Sequence, residues 1–277
     1  MTDPLLTHAL VTAPGATPSS WMLFLHGIFG TGANWRTFAR RWTAERPTWG
    51  AVLVDLRMHG RSQGFAPPHT VAAAAADLRA LEASVPGPVR AVTGHSFGGK
   101  VALAYVAARG GDLERAWILD STPGARIDRH GSETTLHVLE ILASLPRELP
   151  SREAFQSGLA EKGVEPSIIA WLAMNLGPAP GDGGTYVFRL DLAAIRALLD
   201  DYFAQDVWPV IESPPGNVRL GLVIGGRSRV FDEDDRERAR RAAAAHPDRV
   251  EVHTIADASH WVHVDAPDAL LAILLER

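Results

Sequence analysis

Residues 94–98, Gly-His-Ser-Phe-Gly, directly follow the apolar run Val89–Thr93 and precede a helical pattern that begins at Gly99. A serine on a tight turn between a strand and a helix has a strained backbone, and small residues two positions to either side let neighbouring backbone approach. Gly94 and Gly98 meet this requirement. The Ser96 hydroxyl would lie at the start of the following helix, whose free amides favour negative charge. The pattern predicts that Ser96 is a nucleophile; an ordinary glycine-rich turn is the alternative.

Short apolar runs that end in glycine or polar residues alternate with helical patterns along much of the chain. This alternation is typical of parallel strands joined by crossover helices, so it predicts an α/β fold with a mostly parallel, doubly wound sheet. The predicted strands are Trp21–Leu25, Ala51–Val54, Val89–Thr93, Ala116–Leu119, Leu220–Ile224 and Val250–Ile255. Helices are predicted after a cap at Thr70 and over Val101–Ala108, closed by Gly110.

The alternation breaks after Gly124, where the helical segments Glu133–Leu145 and Leu192–Phe203 are separated by stretches rich in proline and glycine, such as Gly177–Gly184. We therefore predict an inserted helical cap. The predicted division is residues 1–123 and 216–277 for the core and residues 124–215 for the cap. The apolar residues of the cap are expected either to pack against one another or to contact substrate.

Residues 26–30, His-Gly-Ile-Phe-Gly, follow the first predicted strand. Acyl transfer needs two donors for the oxyanion, and we expect the amide of Phe97 to be one of them. A glycine-containing loop beside the serine turn is expected to present the other, from Ile28 or alternatively from Phe29. His26 is interpreted as a residue that holds this loop by hydrogen bonds, with a catalytic role as the alternative.

The base of a serine nucleophile is expected on the loop after the last strand, where His260 lies. His263 is the alternative, although a histidine near the start of a helix is more often structural. Asp265 is predicted to cap a terminal helix that has Pro267 at an early position and ends at Leu275.

A carboxylate must bind the other imidazole nitrogen, because it fixes the tautomer and stabilises the imidazolium. Asp120 ends a predicted strand, so it reaches the carboxyl edge of the sheet beside the serine turn and is our candidate for the acid. A turn-starting role is its alternative. Asp232 and Asp234 are the other candidates, although a helix N-cap and a favourably charged first turn also account for them.

Five stretches of the chain, in order, resemble the α/β-hydrolase superfamily and, within it, the small bacterial and mitochondrial esterases and thioesterases of the abhydrolase type. These stretches are residues 26–30, 54–62, 94–100, 119–120 and 260–263. The resemblance implies the α/β-hydrolase fold and a triad acid after the strand that follows the serine-bearing helix, which is Asp120 by position. Ser228 stands where many relatives have that aspartate. Arg57 and His59 are expected to fix a loop rather than to contact substrate.

Composition limits the remaining possibilities. The 277 residues are 46% hydrophobic and 21% charged, which suffices for one large core. The formal charge of −5 and the lack of a basic stripe argue against nucleic acid as a partner. The chain has no cysteine, which excludes disulfides and thiolate chemistry. Residues 1–20 have no export pattern and no run of about 18 apolar residues occurs, so we expect a cytoplasmic protein without membrane contact.

These observations predict a serine hydrolase that cleaves small carboxylic esters or acyl thioesters through Ser96, His260, Asp120 and an acyl-enzyme. We expect neither a cofactor nor a metal ion, because His260 and His263 have no nearby carboxylate or histidine at a helix spacing that would complete a metal site. The residues expected to line an acyl pocket are Phe29, Phe97, Trp171, Leu172, Met174 and Trp261. A lyase or carbon–carbon bond hydrolase on the same fold, or a non-catalytic ligand receptor, is the alternative.

Overall fold

The computed structural model describes residues 4–110, 112–128, 133–181 and 184–276. Two of the predictions fall partly outside these ranges: the amino-terminal segment includes residues 1–3, and the glycine-rich stretch includes residues 182 and 183. Within the ranges, the helices are too short or too polar to cross a membrane.

A seven-stranded sheet with the order β1-β3-β2-β4-β5-β9-β10 runs through the described chain, and a small sheet has the order β6-β8-β7. The strands are β1 (His8–Val11), β2 (Ser20–Leu25), β3 (Trp49–Val54), β4 (Val89–His95), β5 (Arg115–Leu119), β6 (Glu148–Leu149), β7 (Leu176–Pro178), β8 (Tyr186–Phe188), β9 (Arg219–Gly225) and β10 (Val250–Ile255). In the large sheet, β1 pairs antiparallel with β3 and the other pairs are parallel. The predicted, mostly parallel sheet is confirmed.

Helices cover both faces of the large sheet, as the apolar residues of the strands require. Leu23 and Phe24 are neighbours on β2, so they point to opposite faces, and they belong to two different buried clusters. The helices are α1 (Arg36–Glu45), α2 (Val71–Leu81), α3 (Phe97–Arg109), α4 (Glu133–Ser144), α5 (Arg152–Ala160), α6 (Pro166–Leu172), α7 (Leu192–Ala204), α8 (Trp208–Glu212), α9 (Glu233–Ala245), α10 (Val262–Asp265) and α11 (Pro267–Leu275). The fold is therefore doubly wound.

The predicted strands and the Thr70 cap agree with the structure, whereas α3 begins at Phe97, before the predicted start at Val101, and the carboxyl end also differs. All six predicted strands are present within two residues of the expected ends, and the Thr70 hydroxyl caps α2 by accepting from the Ala73 amide at 3.1 Å. Asp265 is not the cap of α11, and that prediction is wrong. It ends the short helix α10, and its carboxylate accepts from the amide of Ser259 at 2.7 Å, so that Ala266 takes the N-cap position.

The described chain between β5 and β9 contains helices α4 to α8 and the small sheet of β6, β7 and β8. Helices were predicted in this segment from the sequence, but the small sheet was not. Its strands have only two or three residues each, which is too short for an alternating pattern to be recognised.

A buried lysine connects this segment to the start of α3. The ammonium of Lys100 donates to the backbone carbonyls of Gly124, Tyr202 and Gln205 at 2.8, 2.7 and 3.0 Å. Burial lowers the pKa of Lys100 to about 7. Its three donors satisfy one carbonyl near the start of the segment and two at the end of α7, so this side chain holds the segment to the helix that follows Ser96.

Candidate active site

Ser96 lies on the turn between β4 and α3 with a φ of 54° and a ψ of −121°. Such a backbone conformation costs a non-glycine residue on the order of 1–3 kcal/mol, so the surroundings must enforce it. A Cβ on Gly94 would lie 2.1 Å from the carbonyl oxygen of Gly98, and a Cβ on Gly98 would lie 2.5 Å from that of His26. The tight turn therefore requires glycine at both positions.

The turn presents Ser96 to a cavity of about 400 Å³. Of the residues expected around an acyl pocket, Phe29, Phe97, Trp171 and Trp261 line this cavity. Leu172 and Met174 do not, which corrects that expectation. Helix α6 ends at Leu172, which is fully buried in the apolar core, and the turn that follows directs Met174 to a separate surface depression, where it is 46% exposed.

Asp120 directly follows β5, and its fully buried carboxylate accepts three hydrogen bonds. Oδ1 accepts from the amide of Gly225 at 2.9 Å, and Oδ2 accepts from the Ser228 hydroxyl at 2.5 Å and from Nδ1 of His260 at 2.7 Å. These donors compensate the buried negative charge. A carboxylate can only accept here, so the His260 proton lies on Nδ1, and Nε2 is free to accept a proton.

The other candidate acids occupy different environments. Asp232 caps α9 by accepting from the Asp235 amide at 2.8 Å and pairs with Arg126 at 2.9 Å. Asp234 is exposed on the first turn of the same helix. In the described structure neither carboxylate contacts His260, and the N-cap interpretation accounts for Asp232.

His26 holds the loop of residues 26–30 in place. Its Nδ1 donates to the carbonyl of Gly27 at 2.8 Å, and its Nε2 accepts from the amide of Leu56 at 3.0 Å. Burial lowers the pKa of His26 to about 4, so the ring is neutral at pH 7. Both ring nitrogens are thus used in fixing backbone.

Arg57 and His59 are buried, and the His59 ring packs against that of His26 with centroids 4.9 Å apart. Arg57 forms an ion pair with Asp77 at 2.6 Å and donates to the carbonyl of Pro68. The Nδ1 of His59 contacts the carbonyl of Arg57 at 2.9 Å, and burial, followed by the neighbouring His26, lowers the pKa of His59 to about 3. These contacts agree with the loop-fixing role expected from the sequence.

Two further histidines pack behind His260. The Nε2 of His95 donates to the backbone carbonyl of His260 at 2.8 Å, and burial holds the pKa of His95 well below its usual value. His263 packs on Trp35, with ring centroids 4.7 Å apart, and burial lowers its pKa to about 4. Both His95 and His260 line the cavity, but His95 is only 2% exposed, whereas the side chain of His260 is 29% exposed. The contact of His95 with the His260 carbonyl was not predicted from the sequence.

The loop of residues 26–30 lies against the serine turn. Phe97 is the first residue of α3, where an amide has no intrahelical acceptor, and Ile28 lines the same cavity as Ser96. Phe29 has a φ of 62°, and its carbonyl accepts from the buried Asn175 side chain at 2.7 Å. Asn175 was not predicted, because a single asparagine in a loop follows no recognisable pattern.

The described residues include one group of three with the spacing of metal ligands: Glu251, His253 and Glu276, whose ligand atoms lie within 4.8 Å of one another. The group does not line the cavity of Ser96. The guanidinium of Arg115 pairs with Glu251 and already supplies positive charge there.

A strained serine after a parallel strand, with a buried aspartate and a half-exposed histidine at the carboxyl edge of the sheet, defines the α/β-hydrolase class. The model of the alpha/beta hydrolase family matches residues 22–273, and the chain belongs to this family. The predicted superfamily is confirmed, and the protein is a hydrolase.

Similar proteins span most of the chain. The sn-1-specific diacylglycerol lipase ABHD11 of Danio rerio is 27% identical over 257 residues, which cover 91% of this chain and 76% of that protein. Esterase YbfF of Escherichia coli (strain K12) is 26% identical over 261 residues, with 94% and 93% covered. A solved marine microorganism esterase is 21% identical, covers 98% of each chain and has a TM-score of 0.82, which shows the common fold.

Proposed function

We propose that the protein hydrolyses carboxylic esters with Ser96 as nucleophile, His260 as base and Asp120 as the acid of a catalytic triad. The observation that carries the proposal is the 2.7 Å contact between Nδ1 of His260 and Oδ2 of Asp120, beside a cavity that both His260 and Ser96 line. The names of the lipase and esterase relatives support an ester as the bond that is cleaved.

The reaction has two steps that share one base. The Ser96 hydroxyl attacks the ester carbonyl while Nε2 of His260 takes its proton, and the buried Asp120 stabilises the imidazolium. His260 then gives the proton to the leaving alcohol, which leaves an acyl group on Ser96. Water, deprotonated by His260, attacks this acyl-enzyme, and His260 returns the proton to the Ser96 oxygen as the acid is released.

The amides of Ile28 and Phe97 are proposed to bind the oxyanion of both tetrahedral intermediates. Loss of one such donor costs about 3 kcal/mol of transition-state stabilisation in comparable enzymes. The contacts of His26 and Asn175 with the loop support a preorganised donor, because they fix the backbone on either side of Ile28.

The segment of residues 124–215 is proposed to act as a cap over the cavity. Five of its apolar residues line the cavity with Ser96: Val138, Ile168, Trp171, Leu199 and Phe203. They favour an uncharged acyl chain in this part of the site. An acyl thioester is a second candidate substrate, because the same oxyanion donors serve both carbonyls.

The test is hydrolysis of 4-nitrophenyl esters from acetate to decanoate by the wild type and by Ser96→Ala. We expect turnover to fall by orders of magnitude in Ser96→Ala. Ser157→Ala, which alters an exposed serine of α5, is the matched control and keeps wild-type turnover. Turnover that survives in Ser96→Ala, or no Ser96-dependent turnover on any ester, contradicts the proposal.

A further inference from the structure

The cavity of Ser96 has a positively charged wall. Arg227 and Arg229, both exposed, line it from the loop after β9. Among the described residues that line the cavity there is no aspartate or glutamate. The whole chain has a formal charge of −5, so this wall has the opposite sign to the molecule. A cleft lined by one sign of charge attracts ligand groups of the other sign.

The loop that carries these arginines is held by contacts that do not use the guanidinium of Arg229. The Ser228 hydroxyl donates to Asp120 at 2.5 Å, and the Arg227 amide donates to the carbonyl of Ala258 at 2.9 Å. Arg236 donates to the carbonyl of Ser228 at 3.4 Å. The backbone from which both arginines project is therefore fixed, which lowers the entropic cost of binding a ligand there.

The guanidinium of Arg229 is available for a ligand. It forms no ion pair with the residues that the structure describes, whereas the guanidinium of Arg227 donates to the backbone carbonyl of Asp257. The carboxylate of Asp265, which follows His260 in the chain, is already engaged by the amide and the hydroxyl of Ser259, at 2.7 and 2.5 Å. A guanidinium presents two parallel N–H donors that match a carboxylate or a phosphate.

The position of the loop indicates which part of the substrate carries the charge. In the proposed reaction His260 protonates the leaving atom, so the leaving group departs on the His260 side of Ser96. The loop that carries Arg227 and Arg229 lies on that side, because Oδ2 of Asp120 binds both the Ser228 hydroxyl and Nδ1 of His260.

We propose that Arg229, assisted by Arg227, binds an anionic group, a carboxylate or a phosphate, on the leaving alcohol or thiol of the substrate. This inference rests on the proposed function and adds to it the charge of the leaving group.

Three butyrate-sized esters test the proposal. They are 4-nitrophenyl butyrate, which is neutral, 3-carboxy-4-nitrophenyl butyrate, with the charge on the leaving group, and 4-nitrophenyl hemiglutarate, with the charge on the acyl end. The readout is the kcat/KM of each charged ester divided by that of the neutral ester in the same variant. This ratio cancels any general loss of activity.

For the carboxylated leaving group we expect the ratio to fall about tenfold in an Arg227→Gln, Arg229→Gln double variant, and by a smaller factor in Arg229→Gln alone. Arg40→Gln, which alters an exposed arginine of α1, is the matched control and keeps the wild-type ratio. Raising the ionic strength from about 0.05 to 0.5 M lowers the wild-type ratio and leaves that of the double variant unchanged.

A second pair of substrates separates the two sources of charge. Butyryl coenzyme A carries phosphates on its thiol, and S-butyryl-N-acetylcysteamine is its neutral counterpart. Arginine dependence for butyryl coenzyme A, for the carboxylated ester, or for both supports the proposal and identifies the anion.

Ratios that are equal in the wild type and in the double variant overturn the proposal. Arginine dependence that is confined to the hemiglutarate overturns it as well, because the charge would then lie on the acyl end. In both cases Ser96-dependent hydrolysis of the neutral ester leaves the proposed function intact. If no substrate shows Ser96-dependent turnover, both proposals fail together.

Discussion

The carboxylate of Asp120 accepts from three donors, and replacing it by asparagine tests the proposed triad most directly. Asparagine has nearly the same shape and tolerates the positive φ of 44° at this position, so we expect Asp120→Asn to fold. An asparagine keeps one acceptor oxygen, however, and its amide nitrogen must face either the Gly225 amide or the pair of donors from Ser228 and His260.

The second orientation of the asparagine is the less costly one. The Gly225 amide cannot act as an acceptor, so an amide nitrogen facing it would leave a buried donor unsatisfied, at a cost of about 1–3 kcal/mol. The Ser228 hydroxyl can rotate to accept, and His260 can accept on Nδ1 if its proton moves to Nε2. That tautomer cannot take the proton of Ser96. We therefore expect kcat/KM to fall by about 10³- to 10⁴-fold, or about 4–5 kcal/mol.

The assay compares kcat/KM on 4-nitrophenyl butyrate for the wild type, Asp120→Asn and an Asp232→Asn, Asp234→Asn double variant. Thermal unfolding of each protein shows whether the fold is retained. The double variant is expected to keep wild-type turnover, because Asp232 caps α9 and Asp234 is exposed. Near-normal turnover of a folded Asp120→Asn, together with loss in the double variant, refutes the reasoning.

Three further substitutions test the surroundings of the site. Ser228→Ala removes one donor to Asp120 and should lower kcat on neutral esters about tenfold with KM unchanged, by steady-state kinetics. Gly98→Ala places a Cβ 2.5 Å from the His26 carbonyl, so kcat should fall and the free energy of unfolding should drop by about 1–3 kcal/mol in urea. For Lys100, whose folded pKa is lowered to about 7, the unfolded chain binds a proton that the folded chain has lost between pH 7 and 10. The unfolding free energy should therefore rise with pH over that range, and Lys100→Met should remove the rise; an unchanged slope contradicts this.

The parallel strands were predictable because their apolar runs are continuous and glycine or polar residues end each of them. The strand β1 was missed. It has only four residues, is half-exposed and pairs antiparallel at the edge of the sheet, so its sequence lacks a buried run. Strands with long buried apolar runs could thus be predicted from the sequence, whereas a strand with little buried surface could not.

The site was predictable where a residue has a fixed place relative to a strand. Ser96 and Asp120 each follow a core strand directly, and His260 lies on the loop after the last strand, so their common edge could be inferred from topology. The supports for these residues come from elsewhere in the chain. Asn175 donates to the loop of residues 26–30 across a sequence separation of 146 residues. Its neighbour Met174 is 46% exposed, although its apolar side chain was expected to line a pocket.

The four buried histidines near His260 stay neutral over the pH range in which an esterase is assayed. His26, His59, His95 and His263 have pKa values so far below neutrality that acidification to pH 6 leaves all four rings uncharged. A pH–rate profile above pH 6 is consequently free of the overlapping titrations that these four neighbouring histidines would otherwise contribute.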